Sequence, residues 1–124
     1  MDGRNAESRG TVKKRGDVWW VRFDPFEGNE IQKTRPAIIV SNDLSNRVLS
    51  RFQVVPVSSQ IRKIYPGETL ITLNGLTRKA MADQITTVSE RRLTDKLATL
   101  SLEDLMAVEA AIGIQLDLDL VKEE

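Results

Sequence analysis

The residue types available for chemistry are restricted, because the 124-residue chain contains neither histidine nor cysteine. Their absence removes the commonest general acid–base group, the commonest metal ligand, any thiol nucleophile and any disulfide framework. Catalysis would have to use Arg, Lys, Asp, Glu, Ser, Thr or Tyr. Because the sequence also shows no cluster of carboxylates with metal-site spacing, it predicts neither a bound metal nor another cofactor.

The best-placed candidate for chemistry is Arg35, which stands directly before Pro36 and the apolar run 37–40. That run is rich in β-branched residues and predicts a buried strand. Pro36 cannot donate to a sheet ladder, so we expect it at the first residue of the strand, with Arg35 at the seam between loop and strand. The planar guanidinium is a fork that matches phosphate oxygens. Taken alone, such a residue is more often an ordinary surface arginine.

Charge is distributed unevenly along the chain although the net charge is zero. Residues 32–96 carry eleven Lys or Arg against five Asp or Glu, a balance of +6, whereas residues 101–124 carry seven acids and one Lys, a balance of −6. The middle segment could bind a polyanion, and on charge alone a mixed surface without a special partner is equally compatible. No apolar run is long enough to span a membrane and no signal peptide is evident, so we expect a cytoplasmic protein without a membrane partner.

Short strands and turns must position these groups. The pattern predicts strands at 17–24, 37–40, 52–58, 68–73 and 78–85, one or two more within 86–100, and a short helical turn at 44–50. The first strand has bulky residues on both faces, so both should be covered. One clear helix begins after Ser101, with a predicted core face of Leu102, Leu105, Val108, Ile112 and Leu116.

The fold expected from this pattern is mainly β with a C-terminal helix, as a small bent antiparallel sheet or open barrel. The length suits one domain. We expect a disordered leader over 1–14, the domain over 15–117 and a solvated acidic tail over 118–124. The two loops at 26–34 and 60–67 could frame a groove that contains Arg35, Ser58 and Ser59.

Six blocks in order resemble the MazF/PemK/Kid toxins, over residues 14–117. They are Arg15-Gly16-Asp17-Val18-Trp19, Gly28-Asn29-Glu30, Thr34-Arg35-Pro36, Val40-Ser41-Asn42-Asp43, Val55-Pro56-Val57-Ser58-Ser59-Gln60 and Ala82-Asp83-Gln84. The resemblance implies a CcdB/PemK-like (SH3-like) barrel, a homodimer, and a sequence-specific, metal-independent endoribonuclease that cuts single-stranded RNA. It also implies a MazE-like antitoxin, encoded by a neighbouring gene, whose extended segment lies across the RNA groove.

The same resemblance assigns site residues. The family's catalytic arginine falls on Arg35 and its strand-end hydroxyl, usually a threonine, falls on Ser58. The residues expected to bind substrate are Glu30, Thr34, Ser59, Gln60, Arg62, Asp83 and Gln84. Where the plasmid branch has a second catalytic arginine this chain has Met81, so it lacks that group and Asp83 is placed among the binding residues.

Two other classes of function share the expected fold. A CcdB-like protein would poison DNA gyrase without cutting nucleic acid, but in that family the gyrase contact lies in a C-terminal tryptophan segment, and both tryptophans here are in the first strand. A non-catalytic RNA-binding barrel would keep the basic loops and would not need Arg35. Digestion of a long RNA in the presence of a chelator separates cutting from both alternatives.

Overall fold

The computed structural model describes residues 12–23 and 33–119 of the chain. Its strands are β1 (Asp17–Phe23), β2 (Lys33–Ile39), β3 (Arg51–Ser58), β4 (Glu68–Leu73), β5 (Leu76–Met81), β6 (Thr86–Ser89) and β7 (Leu93–Thr99). Its helices are α1 (Asp43–Leu49) and α2 (Leu102–Gln115), with single 3-10 turns at Ala82–Gln84 and Glu90–Arg92. Within these ranges, no helix has the length and apolar character needed to cross a membrane.

The seven strands form one antiparallel sheet in the order β4-β5-β3-β2-β1-β7, and β6 pairs with β3 beside that path. The expectation of a mainly β fold with a C-terminal helix is therefore confirmed. The sheet is not closed, because its end strands β4 and β7 are not paired with each other. The outer edge of β4 is instead capped by α2, where the Thr72 N–H donates to Asp104 Oδ2 at 2.9 Å.

The central strands are buried on both faces, as predicted for β1. Val18 belongs to one apolar cluster, together with Ile38, Val55 and Val108 of α2. Trp19 and Val21 belong to a second cluster on the other face, together with Ala37, Ile39, Phe52, Val54, Val88 and Leu93. Side chains alternate along a strand, so neighbouring residues of β1 reach different clusters. Trp20 and Arg22 are the exceptions on β1, since both are exposed.

The sheet forks where β2 and β3 stop pairing. Their ladder consists of Ile39–Val54, Ile38–Val55 and Ala37–Pro56, and beyond it the start of β2 pairs with β1 while the end of β3 pairs with β5. The Val40 N–H donates to Gln53 O at 2.9 Å. Because N–H groups alternate between the two edges of a strand, Ile38 and then position 36 should be the next donors to β3, and the proline at position 36 has no N–H. We call the opening between these two strand pairs the fork.

Two sequence-based boundaries were wrong. Pro36 does not begin its strand: β2 starts at Lys33, because its first residues pair with β1, so Arg35 lies inside a strand and not at a loop–strand seam. The strand predicted over 78–85 ends at Met81. The following turn replaces strand pairing by its own bond, from the Ile85 N–H to Ala82 O at 3.1 Å.

The predicted core face of α2 was partly wrong. Val108 is fully buried and Leu105 and Ile112 pack on the same cluster, whereas Leu102 is 73% exposed and Leu116 lies beyond the helix end. Two small residues of α2, Ala111 and Gly113, are buried in place of Leu102 and Leu116. The predicted cap is confirmed, because the Asp104 N–H donates to Ser101 Oγ at 3.1 Å.

The ends of the chain are only partly covered by the structure. Residues 1–11 of the predicted leader lie outside the described residues, as do residues 120–124 of the predicted tail. Lys13, near the end of the leader, places Nζ 3.3 Å from Glu90 Oε2 and 4.8 Å from the ring centroid of Trp19. These contacts join the segment before β1 to the second cluster.

Candidate active site

Arg35 stands on β2 at the open end of the fork. Its backbone pairs with Val21 of β1, and it shares a strand face with Ala37 and Ile39 of the second cluster, two and four residues on. The residue is half-buried. No hydrogen bond or ion pair of its guanidinium is found within the described ranges, so none of the carboxylates described there neutralises it. A guanidinium held this way offers five N–H donors to an incoming anion.

The end of β3 forms the opposite wall of the fork. Continuing the β2–β3 register two positions past Ala37–Pro56 sets Ser58 against Arg35. Ser58 Oγ accepts a hydrogen bond from the Gln60 N–H at 3.0 Å, which fixes the turn after the strand. Because that bond uses a lone pair of the hydroxyl, the O–H itself remains available as a donor.

The fork encloses a cavity of about 540 Å³. Five of the predicted site residues line it, namely Thr34, Arg35, Ser58, Ser59 and Gln60, together with Trp20, Lys33, Pro36, Val57 and Arg78. The structure thus brings together residues that are more than twenty positions apart in the chain. We call this cavity the Arg35 cleft.

A second, larger depression adjoins the cleft. Its volume is about 980 Å³, and Arg35 and Lys33 line both cavities. Asp83 and Gln84 line the second one from the 3-10 turn after β5, where Gln84 Nε2 lies 3.6 Å from the Sδ of Met81. These two predicted binding residues therefore line a different cavity from Ser58 and Ser59, and Arg35 lines both.

Two predicted binding residues are not brought into either cavity by the described structure. Arg62 is exposed in the segment after β3 and lines neither of them. Glu30 lies within residues 24–32, outside the described residues.

A buried ion pair fixes the segment that carries Arg62. Lys79 Nζ lies 3.3 Å from Glu68 Oε1, and their side chains are 10% and 8% exposed. The same Nζ donates to Lys63 O at 3.2 Å, and the Tyr65 N–H donates to Glu68 Oε1 at 2.9 Å. The pair thus ties the 61–67 segment to the strand pair β4–β5 beside the cleft.

The charge of the cleft favours an anion. The side chains that line it include three cations (Lys33, Arg35 and Arg78) and three hydroxyls (Thr34, Ser58 and Ser59), with no carboxylate among the lining residues. The second depression adds Arg22, Arg91 and Arg92 against the single acid Asp83. A surface with this balance attracts phosphate groups and can stabilise negative charge that develops on one.

Sequence reasoning missed Trp20, Lys33 and Arg78 as cleft residues. Lys33 could have been found, because it continues the block around Arg35. Arg78 could not, because it is adjacent to Lys79 and alternation places the two on opposite faces without saying which faces the cleft. The ion pair of Lys79 with Glu68 decides it, because it holds the lysine away from the cleft.

Comparison with known proteins identifies the family of the chain. Residues 14–116 match the family described as PemK-like, MazF-like toxin of type II toxin-antitoxin system. Endoribonuclease MazF9 of Mycobacterium tuberculosis is 38% identical over 116 residues, which is 86% of this chain and 98% of that protein. Endoribonuclease EndoA of Bacillus subtilis is 33% identical over 112 residues, 86% and 97% of the two chains.

A solved structure shares the fold. The MazE–MazF crystal structure from Deinococcus radiodurans superposes with a TM-score of 0.75 at 28% identity, covering 88% of this chain and 99% of that one. The resemblance seen in the ordered sequence blocks is therefore confirmed over nearly the whole chain. The chain belongs to the PemK-like, MazF-like family of type II toxin–antitoxin toxins.

Proposed function

We propose that this chain is the toxin of a type II toxin–antitoxin pair and an endoribonuclease that cuts single-stranded RNA at specific sequences. The observation that carries the proposal is the placement of Arg35, half-buried and facing Ser58, at the meeting point of two cation-lined cavities. The endoribonuclease names of the relatives support the activity. RNA as substrate places its action in the cytoplasm, by a single domain over residues 15–117.

The reaction we propose uses the RNA's own 2′-OH as nucleophile. Its oxygen attacks the adjacent phosphorus and gives up its proton, the bond from phosphorus to the 5′-oxygen breaks, and that oxygen leaves with a proton as a 5′-OH end. The other product carries a 2′,3′-cyclic phosphate. Arg35 stabilises the extra charge of the pentacoordinate state, where preorganised donors act most strongly. The O–H of Ser58 donates to a phosphate oxygen or orients the 2′-OH.

The remaining site residues hold the strand. Thr34, Ser59 and Gln60 bind the nucleotides in the Arg35 cleft, and Asp83 and Gln84 bind those in the second depression. Arg62 and Glu30 contact RNA from the segments after β3 and before β2. Recognition by such groups targets unpaired bases, because an A-form helix hides its base edges.

Digestion of a long RNA tests the proposal directly. We expect cleavage at discrete sites to continue in excess EDTA, because the cleft is lined by cations and hydroxyls and magnesium prefers carboxylate and water oxygens. Fragments should accept a labelled phosphate from polynucleotide kinase without prior dephosphorylation, as 5′-OH ends do. A strict need for magnesium, or 5′-phosphate ends, would contradict the proposed chemistry. Intact RNA together with inhibited gyrase would favour the CcdB-like alternative instead.

Substitutions at the end of β3 test the role of the hydroxyl. Ser58→Ala should lower the cleavage rate roughly tenfold, because it removes one hydrogen bond to a charged group. Ser58→Thr should cleave at close to the wild-type rate, since it retains the hydroxyl and suits a strand. Ser59→Ala is compared on the same RNA, because Ser59 is the neighbouring hydroxyl of the cleft and is assigned to substrate binding, not to the reaction itself. A larger loss for Ser59→Ala than for Ser58→Ala would move the assignment to the neighbouring residue.

Assembly and control form the last part of the proposal. We propose a homodimer whose interface covers apolar surface of the α2 side, where Leu102, Met106 and Ile114 are exposed, and a MazE-like antitoxin encoded by a neighbouring gene. The solved MazE–MazF complex of the Deinococcus relative supports the antitoxin. An extended acidic segment of that partner would lie along the cations of the cleft.

Light scattering at micromolar concentration should give a dimer, and titration with the neighbour-encoded protein should block cleavage. The affinity of that complex should fall with added salt, because exposed charges are screened. A monomer that cuts RNA at the full rate would refute the dimer. A neighbour-encoded protein that binds without blocking cleavage would refute the proposed inhibition by an antitoxin. The endoribonuclease assignment would remain in place.

A further inference from the structure

Two adjacent cations of β5 have opposite environments. Lys79 is 8% exposed, its Nζ is bound by Glu68, and it holds the Lys63 carbonyl. Arg78 is half-buried and lines the Arg35 cleft. Alternation along the strand places the two side chains on opposite faces of the sheet. The ion pair with Glu68 explains why Lys79, and not Arg78, is on the buried face. Of the two, only Arg78 can meet a ligand in the cleft.

Register places Arg78 beside the end of β3. The pairs Val57–Ala80 and Ser58–Lys79 continue by one position to Ser59 and Arg78. On the other edge of β3, the fork sets Arg35 against Ser58. The two arginines therefore stand on strands that flank β3, and two inter-strand spacings set them at least about 10 Å apart, because the fork widens the gap on the Arg35 side. That separation suits two different phosphate groups better than one.

The Arg78 guanidinium is oriented but not neutralised. Its Nη1 donates to Thr77 O at 2.9 Å, which leaves its other N–H groups for a ligand. In the part of the chain that the structure describes, no carboxylate pairs with it and none lines the cleft. An oriented, unpaired guanidinium in an acid-free cavity is suited to bind phosphate.

We infer that Arg78 is a phosphate-binding residue of the cleft that contacts the RNA linkage next to the one cleaved at Arg35. The inference rests on the proposed endoribonuclease function and adds to it a second phosphate position. Arg78 takes no part in bond breaking. Its loss should weaken substrate binding and raise KM while leaving kcat close to wild type, because the contact is made equally in the ground state and the transition state.

The test measures binding of RNA that cannot be cut. A cleavage site is first mapped with the wild-type protein, and an oligonucleotide of that sequence is made with a 2′-deoxy sugar at the attacking position. Methylphosphonate then replaces one phosphate at a time along the oligonucleotide, which removes a single charge. Wild type, Arg78→Ala and the control Arg47→Ala, an exposed arginine of α1 that lines neither cavity, are compared.

We expect wild type and Arg47→Ala to lose about tenfold in affinity at two neighbouring linkages, the scale of one charge-assisted contact each. Arg78→Ala should lose its sensitivity at the flanking linkage only and bind the unmodified oligonucleotide about tenfold more weakly. The slope of log affinity against log salt should fall by about 0.7, the value for one phosphate of a single strand. Arg78→Lys should recover part of the affinity and the salt slope.

A methylphosphonate profile of Arg78→Ala that matches wild type would overturn the inference, as would loss of sensitivity at the scissile linkage itself. Thermal unfolding of each variant shows whether a loss reflects misfolding, and Arg78→Lys carries the comparison if the alanine variant is unfolded. A wild-type protein that cuts no RNA would remove the proposed function and this inference together. Cleavage by wild type with an unchanged Arg78→Ala profile would remove the inference alone.

Discussion

Arg35→Ala should lower RNA cleavage at least about a hundredfold, the scale observed when one preorganised oxyanion donor is removed. The guanidinium lies at the meeting point of both cavities and has no pairing acid within residues 12–23 and 33–119, so its charge is available for the phosphate. The fold should persist, because Ala37, Ile38 and Ile39 anchor β2 in the two clusters. Arg35→Lys should also fail, since an ammonium lacks the planar fork.

Single-turnover cleavage of one mapped RNA measures this effect without interference from product release. Arg47→Ala serves as the matched control and should cleave at the wild-type rate, because Arg47 is exposed on α1 and lines neither cavity. If the two variants have equal thermal stability, the lower cleavage rate of Arg35→Ala reflects the lost guanidinium and not unfolding of the protein. Cleavage by Arg35→Ala within a few-fold of wild type would remove Arg35 from the catalytic role.

Lys79→Met should destabilise the protein by about 3–5 kcal/mol, because removing one partner of a buried ion pair leaves the other charge uncompensated. The remaining carboxylate belongs to Glu68, whose side chain is 8% exposed in the wild type, and among the described residues it would keep only the Tyr65 N–H as partner. The double variant Lys79→Met/Glu68→Met should recover most of the loss, since replacing a whole buried pair by apolar groups of similar volume is often neutral. Urea unfolding measures all three free energies.

Lys96→Met provides the control for this experiment. Its side chain is 39% exposed, and its partner Asp17 keeps hydrogen bonds from the Lys14 N–H at 3.0 Å and from the Thr99 hydroxyl at 3.3 Å. We expect a loss below about 1 kcal/mol, as for partly exposed pairs. A single Lys79→Met variant as stable as Lys96→Met would show that the 68–79 pair does not hold the segment after β3.

Local patterns predicted most of the strands and the key positions on them. Alternation and turn residues located β1, β3 and β4, and the turn signal at Ser41-Asn42-Asp43 anticipated α1, where the Ser45 N–H donates to Asn42 Oδ1 at 2.7 Å. The ordered sequence blocks predict that Arg35 and Ser58 belong to one site, and both residues line the Arg35 cleft. Such features depend on neighbours in sequence, which a single chain displays directly.

What the sequence left open depends on contacts between distant segments. The end of β5 at Met81 reflects the turn that leads to β6 on the same edge of β3. The buried face of α2 includes Ala111, with a single methyl group, and Gly113, with no side chain, and such residues give no hydrophobic period. Lys79 is buried and Arg78 lines the cleft because Lys79 pairs with Glu68, which lies ten or more residues away across a hairpin. None of these partners can be identified from local periodicity.

The fork also has a consequence for how such a protein can vary. One wall, with Arg35, belongs to the β1–β2 pair, and the other, with Ser58 and Arg78, belongs to the β3–β5 pair; only three residue pairs join β2 to β3. A substitution at position 78 changes one wall and leaves the register of the other intact. Arg35 and Arg78 thus stand on different walls, so we expect a substitution at one of them to leave in place the strands that hold the other.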